Sequence, residues 1–214
     1  MKTMKRQTGS AARERILREA EHLIHMRGFH CTSLDDIAGC CKTTKANLLH
    51  HFRSKEALGL AVLDFKIAAY RCGCLDSCFK AEADPVEAVR ELFDSARRFY
   101  SKNGCRAGCF VGNMALEMSD INERFRQKVG LFFQEWVDRI EASLACKQAQ
   151  GLLRRDTDPR ALAESVLALY EGSIMLARTL RDSGVFRRTG AVAEALVLAN
   201  LSGRSKEMTT THGR

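Results

Sequence analysis

Between Phe125 and Leu144 the chain sets Phe125, Val129, Phe132, Phe133, Trp136, Val137, Ile140 and Leu144 at intervals of one, three and four residues. That recurrence gathers all eight on one side of an α-helix, whereas a strand would scatter them over both faces. A stripe so long and so apolar requires other helices to cover it. Only 2 prolines occur in 214 residues, at Pro85 and Pro159, so little in the chain interrupts helical runs. An all-α fold follows, and no strand signal or internal repeat competes with it.

Capping signals divide the rest of the chain. The spacing predicts a first helix from Ser10 to about Arg27, with Ile16, Leu17, Ala20, Leu23 and Ile24 on one face, closed by Gly28 and Phe29. Either Thr32 with Asp35 or Ser33 with Asp36 forms a capping box for a short second helix carrying Leu34, Ile37 and Ala38. Gly39 to Lys42 turns the chain, Thr43 or Thr44 caps a third helix ending near Phe52, and Ser54 caps a fourth that runs to about Phe79. Asp84-Pro85 opens a fifth helix to about Tyr100. The sixth is expected from Cys109 to Met118, and the seventh opens on a capping box of Asp120 and Glu123 and stops at Gly151. Asp158-Pro159 starts an eighth to about Asp182, and the ninth is expected from Gly190 to Leu201. The domains read as a basic flexible arm (1–9), a helix-turn-helix unit (10–53), a regulatory and dimerisation bundle (54–201) and a disordered tail (202–214).

The formal net charge is +8, and residues 1–58 alone carry 11 Lys and Arg against 6 Asp and Glu. More than half of the excess thus lies in about a quarter of the chain, which favours a polyanionic partner at that end. No apolar stretch follows the first positive charges, and no run of 18 apolar residues occurs, since Glu164 and Glu171 break the most apolar segment. A cytoplasmic protein with no membrane association is expected. The 9 cysteines are then expected as reduced thiols rather than a disulfide framework.

The third helix offers Thr43, Thr44, Lys45, Asn47, His50 and His51 at polar positions, while Leu48 and Phe52 are placed to anchor it. Asn pairs bidentately with adenine, Lys reaches guanine, and Thr bonds a phosphate or touches a thymine methyl. Ser54 and Lys55 join a helix N-terminus to a cation, a natural phosphate clamp. Read from periodicity and charge alone, the same two short helices also serve as a solvated corner. The run RGF (27–29), TSLDDIA (32–38), KANLLHHF (45–52) and SKEAL (54–58) resembles the DNA-binding domain of the TetR family of bacterial transcriptional regulators. The resemblance implies a homodimeric all-α regulator with an N-terminal three-helix DNA-binding domain that reads a palindromic double-stranded DNA operator. It also implies a C-terminal bundle, about nine helices in all, that takes a small-molecule effector and releases the DNA. Carried over, Lys45, Ala46 and Asn47 take base-reading places, and Leu49, His50, His51 and Lys55 take backbone or neighbouring-base places, with Thr32, Thr43 and Thr44 completing the DNA-binding set. Lys42 stands where the family usually has a turn glycine, and Leu49 where a phosphate-binding tyrosine is usual.

In that family, aromatic residues of the C-terminal bundle line a pocket, and Phe65, Phe99, Phe110, Met114, Phe133, Trp136 and Tyr170 are the candidates here. Each reads equally well as ordinary core. Cys109 follows Gly108 at an expected helix start, where the helix dipole favours a thiolate, with Arg106 close in sequence. The segment GCFVGNMALEMSD resembles a branch of the family with electrophile- and oxidant-responsive repressors, which makes Cys109 a candidate sensor. Cys72, Cys74 and Cys78, with Cys105 and Cys109, are an alternative soft-metal cluster, but only Cys74 and Cys78 share a helix face and no CxxC pair or histidine partner accompanies them, so neither metal nor cofactor is expected. Leu162, Val166, Leu169, Ser173, Leu176 and Leu180, with Ala191, Ala193, Ala195, Leu196 and Ala199, are expected to form a homodimer seam through helices eight and nine. A helical-bundle enzyme is the reading from another class. It is disfavoured because no carboxylate pair or Glu-x-x-His motif accompanies the histidines.

Overall fold

The computed structural model describes residues 2–72, 78–79 and 84–202. Nine α-helices can be followed among them: α1 (Lys2–Arg27), α2 (Leu34–Cys40), α3 (Lys45–Phe52), α4 (Lys55–Tyr70), α5 (Pro85–Lys102), α6 (Phe110–Met118), α7 (Glu123–Ala149), α8 (Pro159–Leu180) and α9 (Gly184–Ala199). The all-α expectation is met, with a single isolated backbone bridge, Leu153 to Leu201, among the described residues. No helix among these residues is long and apolar enough to cross a membrane. The chain divides into two compact units, one holding Met1–Tyr70 with Phe110–Val129 and the other Arg71–Cys109 with Gly130–Arg214.

Several boundaries differ from the sequence expectation for local reasons. α1 starts at Lys2 and runs through Ser10, since the Lys, Met, Arg and Gln residues ahead of it are good helix formers and Gly9 alone is a weak break. Residues 2–9 of the expected flexible arm are therefore helical. α4 can be followed to Tyr70, and the stretch from there to the expected end near Phe79 includes residues 73–77, which lie outside those described. Asn122 rather than Asp120 caps α7, its Oδ1 accepting from the N–H groups of Arg124 and Phe125 at 3.0 and 3.3 Å. α9 begins at Gly184, not Gly190. Gly190 lies inside that helix because Phe93 occupies the space a side chain would need: a Cβ there would come within 2.9 Å of the Phe93 Cβ. The expected tail, 203–214, lies outside the described residues.

In the first unit Ile16, Leu17, Ala20, Leu23 and Ile24 of α1 are buried, as are Leu58, Val62, Leu63 and Ile67 of α4. Each large apolar side chain removed from water contributes about 1.5–3 kcal/mol before entropy is counted. A charged clamp ties the same two helices, with Lys66 Nζ 2.8 Å and His25 Nδ1 3.4 Å from a Glu21 carboxylate oxygen. Burial alone would raise the Glu21 pKa, but the hydrogen bonds from His25 and Lys66 outweigh it and hold the carboxyl at about 2.

The turn between α2 and α3 is closed by backbone geometry. Thr43 N donates to Ala38 O at 3.0 Å and Lys42 N to Gly39 O at 3.1 Å, the paired bonds of a Schellman stop. Such a stop needs a left-handed residue at its corner, and Lys42 supplies it with φ 48°. This is how the turn accommodates a side chain where glycine is usual, and it costs on the order of 1 kcal/mol. Lys42→Gly is expected to raise the unfolding free energy, stabilising the protein by up to about 1 kcal/mol in chemical denaturation. A loss of stability would show that the lysine stem makes contacts outweighing the backbone cost.

Candidate nucleic-acid interface

Both short helices are capped by side chains. Ser33 caps α2 in a full box, its hydroxyl accepting from Asp36 N at 3.0 Å while Asp36 Oδ2 accepts from Ser33 N at 2.8 Å. Of the two expected pairs, Ser33 with Asp36 is therefore the one used. Thr44, not Thr43, caps α3, accepting from Asn47 N at 3.2 Å. Leu48 and Phe52 are buried, as the spacing predicts, and the Arg13 guanidinium lies 4.9 Å from the Phe52 ring centroid. Ser54 caps α4 by accepting from Ala57 N at 3.0 Å.

With those two side chains inward, α3 and its cap expose Thr44, Lys45, Ala46, Asn47 and His50 to solvent, with Thr43, Leu49 and His51 partly exposed. Lys45 Nζ rests 2.9 Å from Asp35 Oδ2, an exposed pair of little energy that a phosphate or base edge replaces readily. Asn47 Nδ2 donates to Thr43 Oγ1 at 2.8 Å, which fixes the amide orientation. His50 and His51 meet edge to face, with centroids 5.7 Å apart. Lys55 donates one hydrogen bond, to His30 O at 3.2 Å, leaving two of its three ammonium donors for an anion.

Thr32 does not belong to this surface. It is 0% exposed, and its Oγ1 donates to Gly28 O at 2.7 Å. The hydroxyl is consumed in closing the loop between α1 and α2, so the expectation that Thr32 touches DNA is corrected.

The expected sensing residues divide between the units. Phe65, Phe110 and Met114 belong to the first, where Phe110 packs edge-on against His25 at 5.4 Å between centroids. Cys109, Phe133, Trp136 and Tyr170 belong to the second. There Trp136 stacks on Tyr170 at 5.5 Å, and Phe93 meets Tyr170 edge-on at 5.6 Å. The Trp136 Nε1–H is buried without an acceptor, a costly state that invites an acceptor from a bound molecule. Phe99 is corrected: it is 61% exposed, because the inward positions of α5 are taken by Leu92, Phe93, Ala96 and Tyr100.

Cys109 lies one residue ahead of α6 and is 7% exposed. Its thiol is hydrogen-bonded to Glu171, whose carboxyl is pushed up to about 7 by burial, against the lowering effect of that bond. The segment leading to Cys109 holds four residues at positive φ: Gly104, Cys105, Ala107 and Gly108. Tyr100 Oη donating to Gly108 O at 3.1 Å and Arg181 Nη1 donating to Cys105 O at 2.9 Å keep it in place. Sequence reasoning did not single out Glu171 or Glu117 as site residues. The signal for Glu171 was present, as a carboxylate interrupting the most apolar run of the chain.

Two family models match: one for bacterial regulatory proteins of the tetR family over residues 16–62, the other for the tetracyclin repressor-like C-terminal domain over residues 85–193. Transcriptional regulator AcuR of Cereibacter sphaeroides is 30% identical over 79% of this chain and 77% of its own. The HTH-type transcriptional repressor DhaR of a Mycobacterium species is 25% identical over 79% of this chain and 84% of its own. Among solved structures, a TetR transcriptional regulator from Chloroflexus aurantiacus superposes with a TM-score of 0.79 at 25% identity, covering 91% of this chain and 98% of that one. The reduced form of Escherichia coli NemR superposes with a TM-score of 0.77 at 23% identity, over 90% and 97%. The capped helix pair, its exposed polar face and these two family matches place the chain in the TetR family of helix-turn-helix transcriptional regulators.

Proposed function

We propose that the protein is a repressor that binds a palindromic operator as a homodimer and is released when a small-molecule effector enters its C-terminal helical unit. The observation that carries this reading is the α3 surface. Lys45, Ala46, Asn47 and His50 are exposed to solvent while Leu48 and Phe52 hold the helix from behind, the division of labour that a major-groove helix requires. The relatives DhaR and NemR are repressors, which supports the same output. The buried indole N–H of Trp136 beside Tyr170 supports an effector with a hydrogen-bond acceptor set among aromatic rings.

For the dimer, part of the expected seam is engaged within the protomer: Leu162, Val166, Ser173 and Ala193 are buried in the single chain. The apolar side chains left outside on α8 and α9 are Met175, Leu176, Leu180, Val192 and Leu196. A seam through these two helices therefore draws on Leu176, Leu180 and Leu196 of the expected set, with Met175 and Val192 beside them.

A second reading is favoured by the Cys109–Glu171 hydrogen bond, which suits a covalent effector. The Cys109 sulfur adds to the electron-poor ring carbon of a quinone, the C=C electron pair moves onto the carbonyl oxygen, and the thiol proton passes to Glu171. A carboxyl near 7 is partly ionised at neutral pH and able to accept that proton.

Four outcomes are expected. In gel shifts with a duplex selected from random DNA by the protein, Asn47→Ala and Lys45→Ala each cost about 1–3 kcal/mol of binding and relax preference at one position of each half-site. Failure of the protein to enrich any duplex would end the DNA-binding reading. Leu180→Glu yields monomers in sedimentation at micromolar concentration and weakens operator binding in step, whereas an unaltered dimer would move the seam elsewhere. For the covalent reading, a quinone releases the duplex from the protein but not from its Cys109→Ser variant. Because the Glu171 carboxyl is raised when folded, stability falls as pH rises from about 4.5 to about 7, by on the order of 3 kcal/mol. Glu171→Gln flattens that fall in denaturation curves taken across the window.

A further inference from the structure

The loop joining α1 to α2 is held by a carboxylate from far along the chain. Glu117, near the end of α6, accepts hydrogen bonds from the backbone N–H groups of Phe29 at 2.8 Å and His30 at 2.6 Å. Successive N–H groups converging on one anion form a nest, and bonds to a charged acceptor are about twice as strong as neutral ones. Gly28 makes the approach possible twice over. Its φ of +89° belongs to the left-handed region, and a Cβ there would stand 3.2 Å from both Glu117 oxygens. The buried Thr32 closes the other side of the loop through its bond to Gly28 O.

The same loop also fixes the candidate phosphate clamp. His30, whose N–H Glu117 holds, accepts at its carbonyl from Lys55 Nζ, and that ammonium lies 4.7 Å above the centroid of the Phe29 ring. The ring is itself wedged against α4 at Gly59, where a Cβ would come within 2.4 Å of Phe29 Cε2. Its other neighbour is the Phe125 ring, with a centroid separation of 5.2 Å. Both residues gripped by Glu117 thus serve as the seat of Lys55. Three residues beyond His30 the chain reaches Ser33, the cap of α2.

We propose that Glu117 is a positioning residue for DNA binding: its carboxylate fixes the Phe29–His30 loop, and the loop in turn presents Lys55 to the DNA backbone. The proposal rests on the DNA-binding reading above and adds a part that lies outside the helix-turn-helix segment. Charge alone gives the opposite expectation, since removing an acid from a DNA-binding surface strengthens attraction to phosphate.

The test uses the full-length protein and the duplex it selects from random DNA, with affinity measured across a range of salt concentrations. Glu117→Gln presents an amide N–H to one of the two donors, and Glu117→Asp keeps the charge but falls a methylene short. Both are expected to bind about tenfold more weakly. Both are also expected to show a dependence of log K on log salt that is shallower by about one phosphate contact. The double variant Glu117→Gln/Lys55→Ala is expected to bind no more weakly than Lys55→Ala alone. Amide exchange at Phe29 and His30 quickens in the variants while α3 and α4 keep their protection, which separates a released loop from a general loss of fold. Parental affinity and salt slope in both variants would overturn the assignment. So would losses that add to that of Lys55→Ala, or loss of protection throughout the unit. A parent protein that selects no duplex would remove the DNA-binding reading itself, and the positioning role with it.

Discussion

Everything proposed for the α3 surface depends on the removal of Leu48 and Phe52 from water. These are the only buried positions of α3, and a helix of 8 residues does not hold together on propensity alone. Truncating either side chain removes about 2–5 kcal/mol, a large share of the 5–15 kcal/mol typical of a domain. Because the two are four residues apart, burying them turns one face inward and leaves Lys45, Asn47 and His50 no orientation except outward. The polar face proposed for recognition is thus placed by hydrophobic chemistry on the other side of the same helix.

The turn before α3 shows how much strain this arrangement accepts. Lys42 adopts φ 48° and Arg53 φ 59°, one on each side of α3, both in a region that L-residues avoid. Neither position holds glycine. The Schellman bonds at one end and the buried Phe52 at the other hold these backbone conformations in place. The positive side chains gained in exchange lie where a polyanion is expected to run.

In the second unit the polar groups that matter are those that burial has made expensive. Glu171 stands near 7 because burial penalises its charged form, and the Trp136 N–H stands without an acceptor. Structural cores rarely keep such groups unless a ligand or a proton transfer makes use of them. The segment before Cys109 adds backbone strain, with Cys105 and Ala107 at positive φ. The strained segment, the buried carboxyl of Glu171 and the unsatisfied N–H of Trp136 all belong to the unit where an input is proposed.

Helical periodicity, caps and composition determined that the chain is all helical, that Leu48 and Phe52 face inward, and that Thr43 to His51 carry polar chemistry outward. These properties are local, set by side chains three and four residues apart. Tertiary structure decided the rest. Thr32 looks like a surface hydroxyl in the sequence, yet folding spends it on Gly28. Phe99 reads as a pocket aromatic, yet its helix turns other residues inward. Glu117 is 88 residues from Phe29 in the chain, and no local pattern announces that its carboxylate closes the Phe29–His30 loop. Glu171 was visible only as a break in an apolar run until folding brought it to Cys109. Long-range contacts between polar groups have no sequence period, so only the packed chain reveals them.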